Sequence, residues 1–160
     1  MNLIKRTWKP YLFGILLTEA VGGLAAVLTR EATKLYGVTI RKPPLSPPAA
    51  VFPVVWTILY ALMGVSAARI YSLSPSAERT GALRLYLLQL AVNFAWSIIF
   101  FNYQAFGLAF FWLILLFALL VRMILVFRDL DPTAARLQLP YLLWVFFAGY
   151  LNYGVWMLNR

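Results

Sequence analysis

The chain has 160 residues but no cysteine and no histidine, and only five aspartate or glutamate residues. Without thiols it forms no disulfide and offers no thiolate nucleophile. Without imidazole it lacks the commonest metal ligand and the usual proximal ligand of haem. The carboxylates are scattered, and only Glu19 lies inside a long apolar stretch. We therefore expect neither a disulfide nor a metal site.

Charge of either sign is scarce, since charged residues make up 12% of the chain and hydrophobic residues 63%. A soluble domain of this size needs more polar surface than that. Five apolar stretches, each of about twenty residues, are long enough to cross a hydrocarbon core as α-helices, and the period-two alternation of a membrane barrel is absent. The sequence predicts an all-α integral membrane protein, a bundle of five transmembrane helices in one domain, 1–160. The predicted helices cover approximately residues 10–29, 50–71, 82–102, 105–127 and 137–157.

The net charge of +9 does not indicate nucleic-acid binding. Lysine and arginine stand at the ends of the apolar stretches and between them, where cations meet anionic headgroups, so we expect membrane lipid as the partner and no nucleic acid. Lys5, Arg6 and Lys9 precede the first stretch as in a signal peptide. That stretch is too long for one and lacks a small-residue cleavage site, so we expect it to be retained.

The connection at residues 30–49 is the longest, and it is predicted as a loop. Residues 41–48 read RKPPLSPP. Proline lacks the amide hydrogen and drives the preceding residue toward extended geometry, so this run predicts a stiff extended segment leading into the second helix. It is either a spacer or part of a functional site.

Polar and aromatic residues recur at helical spacing in three of the five stretches. Lipid cannot hydrogen-bond the carboxamides among them, so we expect these stripes to face the bundle interior. Together they would line a cavity suited to a large planar apolar ligand with a few acceptors. The stripes are Phe52, Trp56, Tyr60 and Gly64 in the second, Gln89, Asn93, Trp96 and Phe100 in the third, and Tyr141, Trp144, Ala148 and Asn152 in the fifth.

The alternative places the tryptophans in the interfacial aromatic belt and uses Asn93 to join helices. Trp8 and Trp156 lie near helix ends, which favours the belt for these two. Trp56, Trp96 and Trp144 lie deeper, which favours the cavity.

Four separated motifs occur in order along the chain. They are Lys42-Pro43 with Pro47-Pro48, Phe52-Pro53-x-x-Trp56-Thr57-x-Leu59-Tyr60, Gln89-Leu90-x-x-Asn93-x-x-Trp96-Ser97 with Phe100-Phe101, and Pro140-Tyr141-Leu142-x-Trp144-x-x-x-Ala148-x-x-Leu151-Asn152. This pattern resembles the TspO/MBR family, which comprises the tryptophan-rich sensory proteins of bacteria and the mitochondrial translocator protein.

The resemblance implies a five-helix bundle, usually dimeric, that binds porphyrins such as protoporphyrin IX, sterols and isoquinoline-type drugs beneath the first loop. Trp56 and Trp144 would enclose the ligand and donate from their indoles, Asn93 would bond a carbonyl or carboxylate, and Ala148 would leave room for a ring. No cofactor is required, because the tetrapyrrole is the ligand. The site residues carried over by motif are Tyr36, Pro47, Trp56, Tyr60, Asn93, Trp96, Trp144 and Ala148.

Three functions follow as hypotheses. The first is a receptor or carrier for tetrapyrroles, in stress sensing or in tetrapyrrole regulation and transport. The second is an enzyme that degrades porphyrin in light and oxygen, with Trp56 and Trp144 as redox-active indoles. The third is a purely structural partner of other membrane proteins, which the converging stripes disfavour. We favour the first, in a multi-pass protein of a bacterial cell membrane.

The family pattern is incomplete in places. Many relatives carry a Trp-Tyr pair early in the first loop and a further Trp before the second proline pair, whereas here those positions read Tyr36-Gly37 and Leu45. The cholesterol-recognition pattern requires a basic residue within five positions of a tyrosine, and Arg160 lies too far from Tyr153. Such patterns are weak in any case.

Two charged residues lie within predicted helices. Glu19 either contacts a ligand or proton, or is a neutral acid bonded to a neighbouring helix. Arg122 stands near the end of the fourth helix, where we expect its side chain to snorkel toward the interface.

Small residues recur every four positions along the first helix, a pattern that lets two helix backbones approach closely. The contact is either with a second copy or with a neighbour inside the bundle. We favour the dimer, because the resembling family dimerises. The residues of this small-residue ridge are Gly14, Thr18, Gly22 and Ala26.

Overall fold

The computed structural model describes residues 7–160, so Lys5 and Arg6 lie outside the described part of the chain. Within that part every regular element is helical. Five segments are long and apolar enough to cross a membrane, which confirms the predicted five-helix bundle. The elements are α1 (Lys9–Leu28), α2 (Arg30–Thr39), α3 (Val51–Tyr71), α4 (Ala77–Ser97) with a π-helical turn at Ile98–Asn102, α5 (Phe106–Leu130), α6 (Pro132–Leu137) and α7 (Leu139–Leu158).

Two helix boundaries differ from the predicted ones because of capping residues. The third transmembrane helix begins at Ala77, where the Ser76 hydroxyl accepts a hydrogen bond from the Arg79 amide at 3.1 Å. The fourth continues to Leu130, because Asp131 caps the next helix by accepting bonds from the Thr133 and Ala134 amides. A side-chain oxygen at this position satisfies amides that have no intrahelical partner.

The predicted loop at residues 30–49 is partly wrong. Its first half forms α2, which contains no proline and starts directly after Thr29. Glu31 and Lys34 pair on its exposed face at 3.0 Å, and Tyr36 packs against the π-helical turn. Residues 41–48 are non-helical, as the prolines predicted.

The proline-rich segment runs along α7. The Arg41 amide donates to Asn159 Oδ1 at 3.0 Å, and Asn159 Nδ2 donates to the Arg41 carbonyl at 2.8 Å. Further along, Pro43 packs on Gly154, where a Cβ atom would come within 2.5 Å of the proline ring. The Tyr150 hydroxyl then donates to the Pro44 carbonyl at 2.8 Å. The loop therefore descends beside α7 to the start of α3.

Helix α1 packs closely along α3. A Cβ on Gly14 would lie 2.5 Å from the Gly64 carbonyl oxygen, and a Cβ on Gly22 would lie 2.3 Å from the Tyr60 ring. Between these points the buried Thr18 hydroxyl donates to the Tyr60 carbonyl at 2.7 Å. Small residues permit this approach, which in lipid replaces the hydrophobic drive between helices.

The expectation that the small-residue ridge forms a dimer interface is therefore wrong. Gly14, Thr18 and Gly22 face α3 within one chain, and only Ala26 is exposed. The four-residue spacing does predict a close contact between two helices. It does not identify the partner helix, because the spacing is the same for an internal neighbour and for a second copy.

An ion pair joins α3 to the start of α6. Arg69 Nε donates to Asp131 at 2.8 Å, and the two side chains are only 20% and 13% exposed. One turn earlier, the buried Ser66 hydroxyl donates to the Ala134 carbonyl at 2.8 Å. These contacts fix the end of the bundle opposite the proline-rich loop.

Candidate ligand-binding site

Aromatic rings from α3 and α7 meet where the proline-rich loop ends. Trp56 stacks on Tyr60 with ring centroids 5.4 Å apart, and it meets Trp144 at 6.5 Å with the two planes nearly perpendicular, at 89°. Phe52 contacts Trp144 at 5.8 Å, and Tyr141 contacts Trp56 at 6.1 Å. Helical spacing places these side chains on one face of each helix. We call these five residues the Trp56–Trp144 cluster.

The two indoles of this cluster differ in their hydrogen bonding from those of Trp96 and Trp112. Trp96 donates its indole N–H to Asn152 Oδ1 at 3.1 Å, and Trp112 donates to a backbone carbonyl of α4 at 2.8 Å. Trp56 and Trp144 are half-buried, and within residues 7–160 neither indole N–H donates a hydrogen bond. A buried indole donor normally finds a partner, so these two are available to a ligand acceptor.

A chain of hydrogen bonds lies beside the cluster and joins three helices. The Tyr60 hydroxyl donates to Asn93 Oδ1 at 3.2 Å, Asn93 Nδ2 donates to the Tyr141 hydroxyl, and Tyr141 donates to Gln89 Oε1 at 3.1 Å. All four residues are buried. The carboxamide of Asn93 is thus engaged at both ends by tyrosines of α3 and α7, and it acts here as a link between helices.

A second aromatic group lies beneath α2. Trp96 stacks on Phe100 at 5.1 Å, and Tyr36 contacts both Phe100 and Phe101 at 5.4 Å. Asn152 accepts the Trp96 indole N–H and donates to a backbone carbonyl of α5, which fixes the indole. We call Tyr36, Trp96, Phe100 and Phe101 the Tyr36–Trp96 cluster.

Burial raises the pKa of Tyr36 to about 12. The cause is desolvation, because removing the phenolate from water disfavours the charged form. The phenol is neutral at physiological pH, as it would be at the ordinary pKa, and the raised pKa extends its neutral range to more alkaline pH. Lys42 Nζ lies 5.1 Å from the centre of its ring, which ties the start of the proline-rich segment to α2.

Ala148 lies on the same face of α7 as Trp144 and Asn152. It stands one turn after Trp144 and one turn before Asn152, so this face of α7 presents only a methyl group at this level. The structure thus distributes the predicted site residues unequally. One group comprises Trp56, Tyr60, Asn93 and Trp144, which come together. The second cluster contains Tyr36 and Trp96. Ala148 lies on α7 between Trp144 and Asn152, and Pro47 is half-buried in the loop.

Several residues at this site were not assigned to it from the sequence. Phe52, Gln89, Tyr141 and Asn152 all belong to the three stripes, so their spacing already indicated an inward position. Their bonding partners could not be read from one helix at a time. Glu19 is half-buried on α1, and no hydrogen bond to a neighbouring helix forms within the described residues.

Comparison with known proteins identifies the family of this chain. A family model for the TspO/MBR family matches residues 14–157. The chain is 35% identical over 144 residues to the "Tryptophan-rich protein TspO" of Chlorobaculum tepidum, covering 89% of this chain and 91% of that protein. It is 34% identical over 155 residues to the "Translocator protein" of Bos taurus, covering 96% and 92%. The "Tryptophan-rich sensory protein" of Cereibacter sphaeroides is 35% identical over 120 residues, covering 75% and 74%.

The family match includes residues of all five membrane-crossing helices, and the relatives named here come from bacteria and an animal. The chain is a multi-pass membrane protein and belongs to the TspO/MBR family.

Proposed function

We propose that the protein is a membrane receptor or carrier for porphyrins of the protoporphyrin IX type and for other large apolar ligands. It would act in stress sensing or in tetrapyrrole regulation or transport, in a bacterial cell membrane. The observation that carries the proposal is the perpendicular pair of half-buried indoles, Trp56 and Trp144, whose N–H groups have no partner within residues 7–160. Relatives named as translocator and sensory proteins support the same class of function.

A porphyrin suits this site for physical reasons. Its flat apolar face would lie on one indole, and each such aromatic contact contributes about 0.5 to 1.5 kcal/mol beyond the buried area. The free indole N–H groups would donate to a carboxylate or carbonyl acceptor. Asn93 would not contact the ligand, because both ends of its carboxamide are already bonded to Tyr60 and Tyr141. Ligand entry would require the proline-rich loop to separate from α7.

The test is a titration of the purified protein with protoporphyrin IX in the dark, followed by the Soret absorbance of the porphyrin. We expect a dissociation constant of about 1 μM, which corresponds to about 8 kcal/mol. Trp144→Leu should weaken binding at least tenfold. The matched control is Trp8→Leu, since Trp8 directly precedes α1, is 67% exposed and lies outside both clusters. Equal weakening by both changes would contradict the proposed site.

A second candidate function is light- and oxygen-dependent degradation of porphyrin. The observation that favours it is direct contact among oxidisable rings, because Trp56 touches Tyr60, Tyr141 and Trp144. Under illumination with oxygen, the protein should then convert bound porphyrin into a discrete product. Trp56→Phe and Trp144→Phe should suppress that product while binding is retained. Unchanged bleaching in both variants would mean that the porphyrin reacts without help from the protein.

We also propose that the protein forms homodimers, as the family resemblance implies. Because the small-residue ridge packs on α3, the interface would lie on another surface, with α4 the next candidate. Native mass spectrometry in detergent tests this directly. A monomer at all lipid and detergent ratios would contradict it.

A further inference from the structure

A groove of about 560 Å³ lies on the outside of the bundle, between α4 and α5. It is at the end of the bundle where α4 begins and α5 ends, far along the chain from the aromatic clusters. Its lining combines charged and apolar side chains, chiefly Glu78, Gly81, Arg84 and Leu88 of α4 with Leu119 and Arg122 of α5.

Two arginines face this groove without a partner. Arg84 and Arg122 are both exposed, and within residues 7–160 neither forms an ion pair or a side-chain hydrogen bond. Glu78 also lines the groove but pairs with neither of them. The groove therefore carries two cations and one anion, and its net charge is positive.

The Cα atoms of the two arginines lie at a similar distance from this end of the bundle. At 1.5 Å per residue, Arg84 is about 10 Å from the start of α4 and Arg122 is about 12 Å from the end of α5. Both helices exceed a hydrocarbon core of about 30 Å by less than about 10 Å in total, so the Cα atoms of both arginines lie a few ångströms inside the core, and their long side chains reach toward the lipid phosphate. A guanidinium group that starts inside the core is costly without an anion beside it.

The remainder of the groove has a shape and polarity that suit a lipid acyl chain. Leu88 and Leu119 lie deeper than the arginines, so they present apolar walls toward the membrane centre. Nearer the surface, a Cβ on Gly81 would meet nothing within 4 Å, and this open space leaves room for a headgroup. The groove is therefore polar near the membrane surface and apolar toward the membrane centre, which is the order of groups in a phospholipid.

We propose that this groove binds an anionic phospholipid of the phosphatidylglycerol class. The phosphate lies between Arg84 and Arg122, an acyl chain follows Leu88 and Leu119, and the headgroup hydroxyls face the Glu78 carboxylate. Positive charge in a groove between transmembrane helices favours an anionic headgroup over a zwitterionic one. The site is separate from the porphyrin site and does not depend on it.

The experiment counts lipid adducts on the detergent-purified protein by native mass spectrometry, with phosphatidylglycerol or phosphatidylcholine of the same acyl chains. The wild type should bind phosphatidylglycerol at least tenfold more tightly. The double variant Arg84→Gln with Arg122→Gln should lose that preference. Its matched control is Arg128→Gln with Arg136→Gln, which removes the same charge from exposed residues at the same end of the bundle.

A second pair of variants tests the space and leaves the charge unchanged. Gly81→Leu fills the groove and should reduce phosphatidylglycerol binding about tenfold, whereas Gly23→Leu should not, although its Cβ also meets open space.

Equal binding of the two lipids, or equal loss in both arginine pairs, would overturn the proposal. Competition by glycerol 3-phosphate alone would show a free-anion site. A change of oligomeric state with Gly81→Leu would show that a second copy covers the groove. Either result would overturn the lipid assignment.

Discussion

The contact between α1 and α3 makes a sharp prediction for Gly14→Ala. The added Cβ would lie 2.5 Å from the Gly64 carbonyl oxygen and 3.2 Å from its carbonyl carbon. Both are backbone atoms, so no side-chain rotation can relieve the overlap. Ordinary contact begins at about 3.5 Å, so the two helices must separate by about 1 Å at this level.

The cost has two parts. Overpacking of a close contact destabilises by about 1 to 3 kcal/mol. The bond from the Thr18 hydroxyl to the Tyr60 carbonyl, 2.7 Å long and one turn away, would stretch beyond hydrogen-bonding range. Losing it costs about a further 0.5 to 1.5 kcal/mol, so the total loss of unfolding free energy is about 1.5 to 4.5 kcal/mol.

The assay is denaturant unfolding in detergent followed by far-UV circular dichroism, with the dimer fraction measured in parallel. The matched control is Gly23→Ala on the same helix, where a Cβ meets nothing within 4 Å. That variant should stay within about 0.5 kcal/mol of the wild type. The reasoning is refuted if Gly14→Ala keeps full stability, or if it lowers the dimer fraction and leaves the stability of the monomer unchanged.

Three further predictions concern stability. Asn93→Leu leaves the buried Tyr60 hydroxyl without its acceptor and removes one of the two hydrogen bonds of Tyr141, so it should lower the unfolding free energy by about 2 to 4 kcal/mol, with porphyrin affinity per folded molecule retained; lost affinity at full stability would instead make Asn93 a ligand contact. Asp131→Asn keeps a capping side chain but removes the charge facing Arg69, and it should cost about 1 to 3 kcal/mol in the same unfolding assay, whereas Asp129→Asn, at an exposed pair, should cost nothing measurable. Because burial raises the pKa of Tyr36 to about 12, the unfolded chain loses this proton first, so stability should fall as pH rises from about 10 to about 12. Tyr36→Phe should remove that part of the pH dependence, and an unchanged slope would contradict the assigned burial.

The five transmembrane helices could be predicted because lipid restricts the backbone conformations that a polypeptide can adopt. Backbone amides must be satisfied within each apolar segment, so length and composition suffice to identify the helices. Spacing also placed Trp56 and Tyr60 on one face of α3, where their rings stack. Both inferences use information contained within a single helix.

Features that depend on two distant segments were not predictable in this way. The structure of α2 depends partly on the contacts of Tyr36 with Phe100 and Phe101, which lie in a π-helical turn. The apolar spacing of that segment predicts a helix but does not distinguish a π-helical turn from an α-helix. Gly64 was assigned to the aromatic stripe of α3, yet it faces Gly14. The start of α6 was predictable in principle, since Asp-Pro is a common way to begin a helix.

The pairing of the proline-rich loop with α7 also has a consequence for the order of synthesis. Arg41 and Asn159 bond to each other across 118 residues of chain. At a translation rate of about 5 to 20 residues per second, Asn159 is synthesised about 6 to 24 s after Arg41. During that interval α1 and α3 can already pack together, while the loop has no helix to lie against. The aromatic site therefore closes late in biosynthesis, and a chain interrupted before α7 would keep its first helix pair but never cover Trp56.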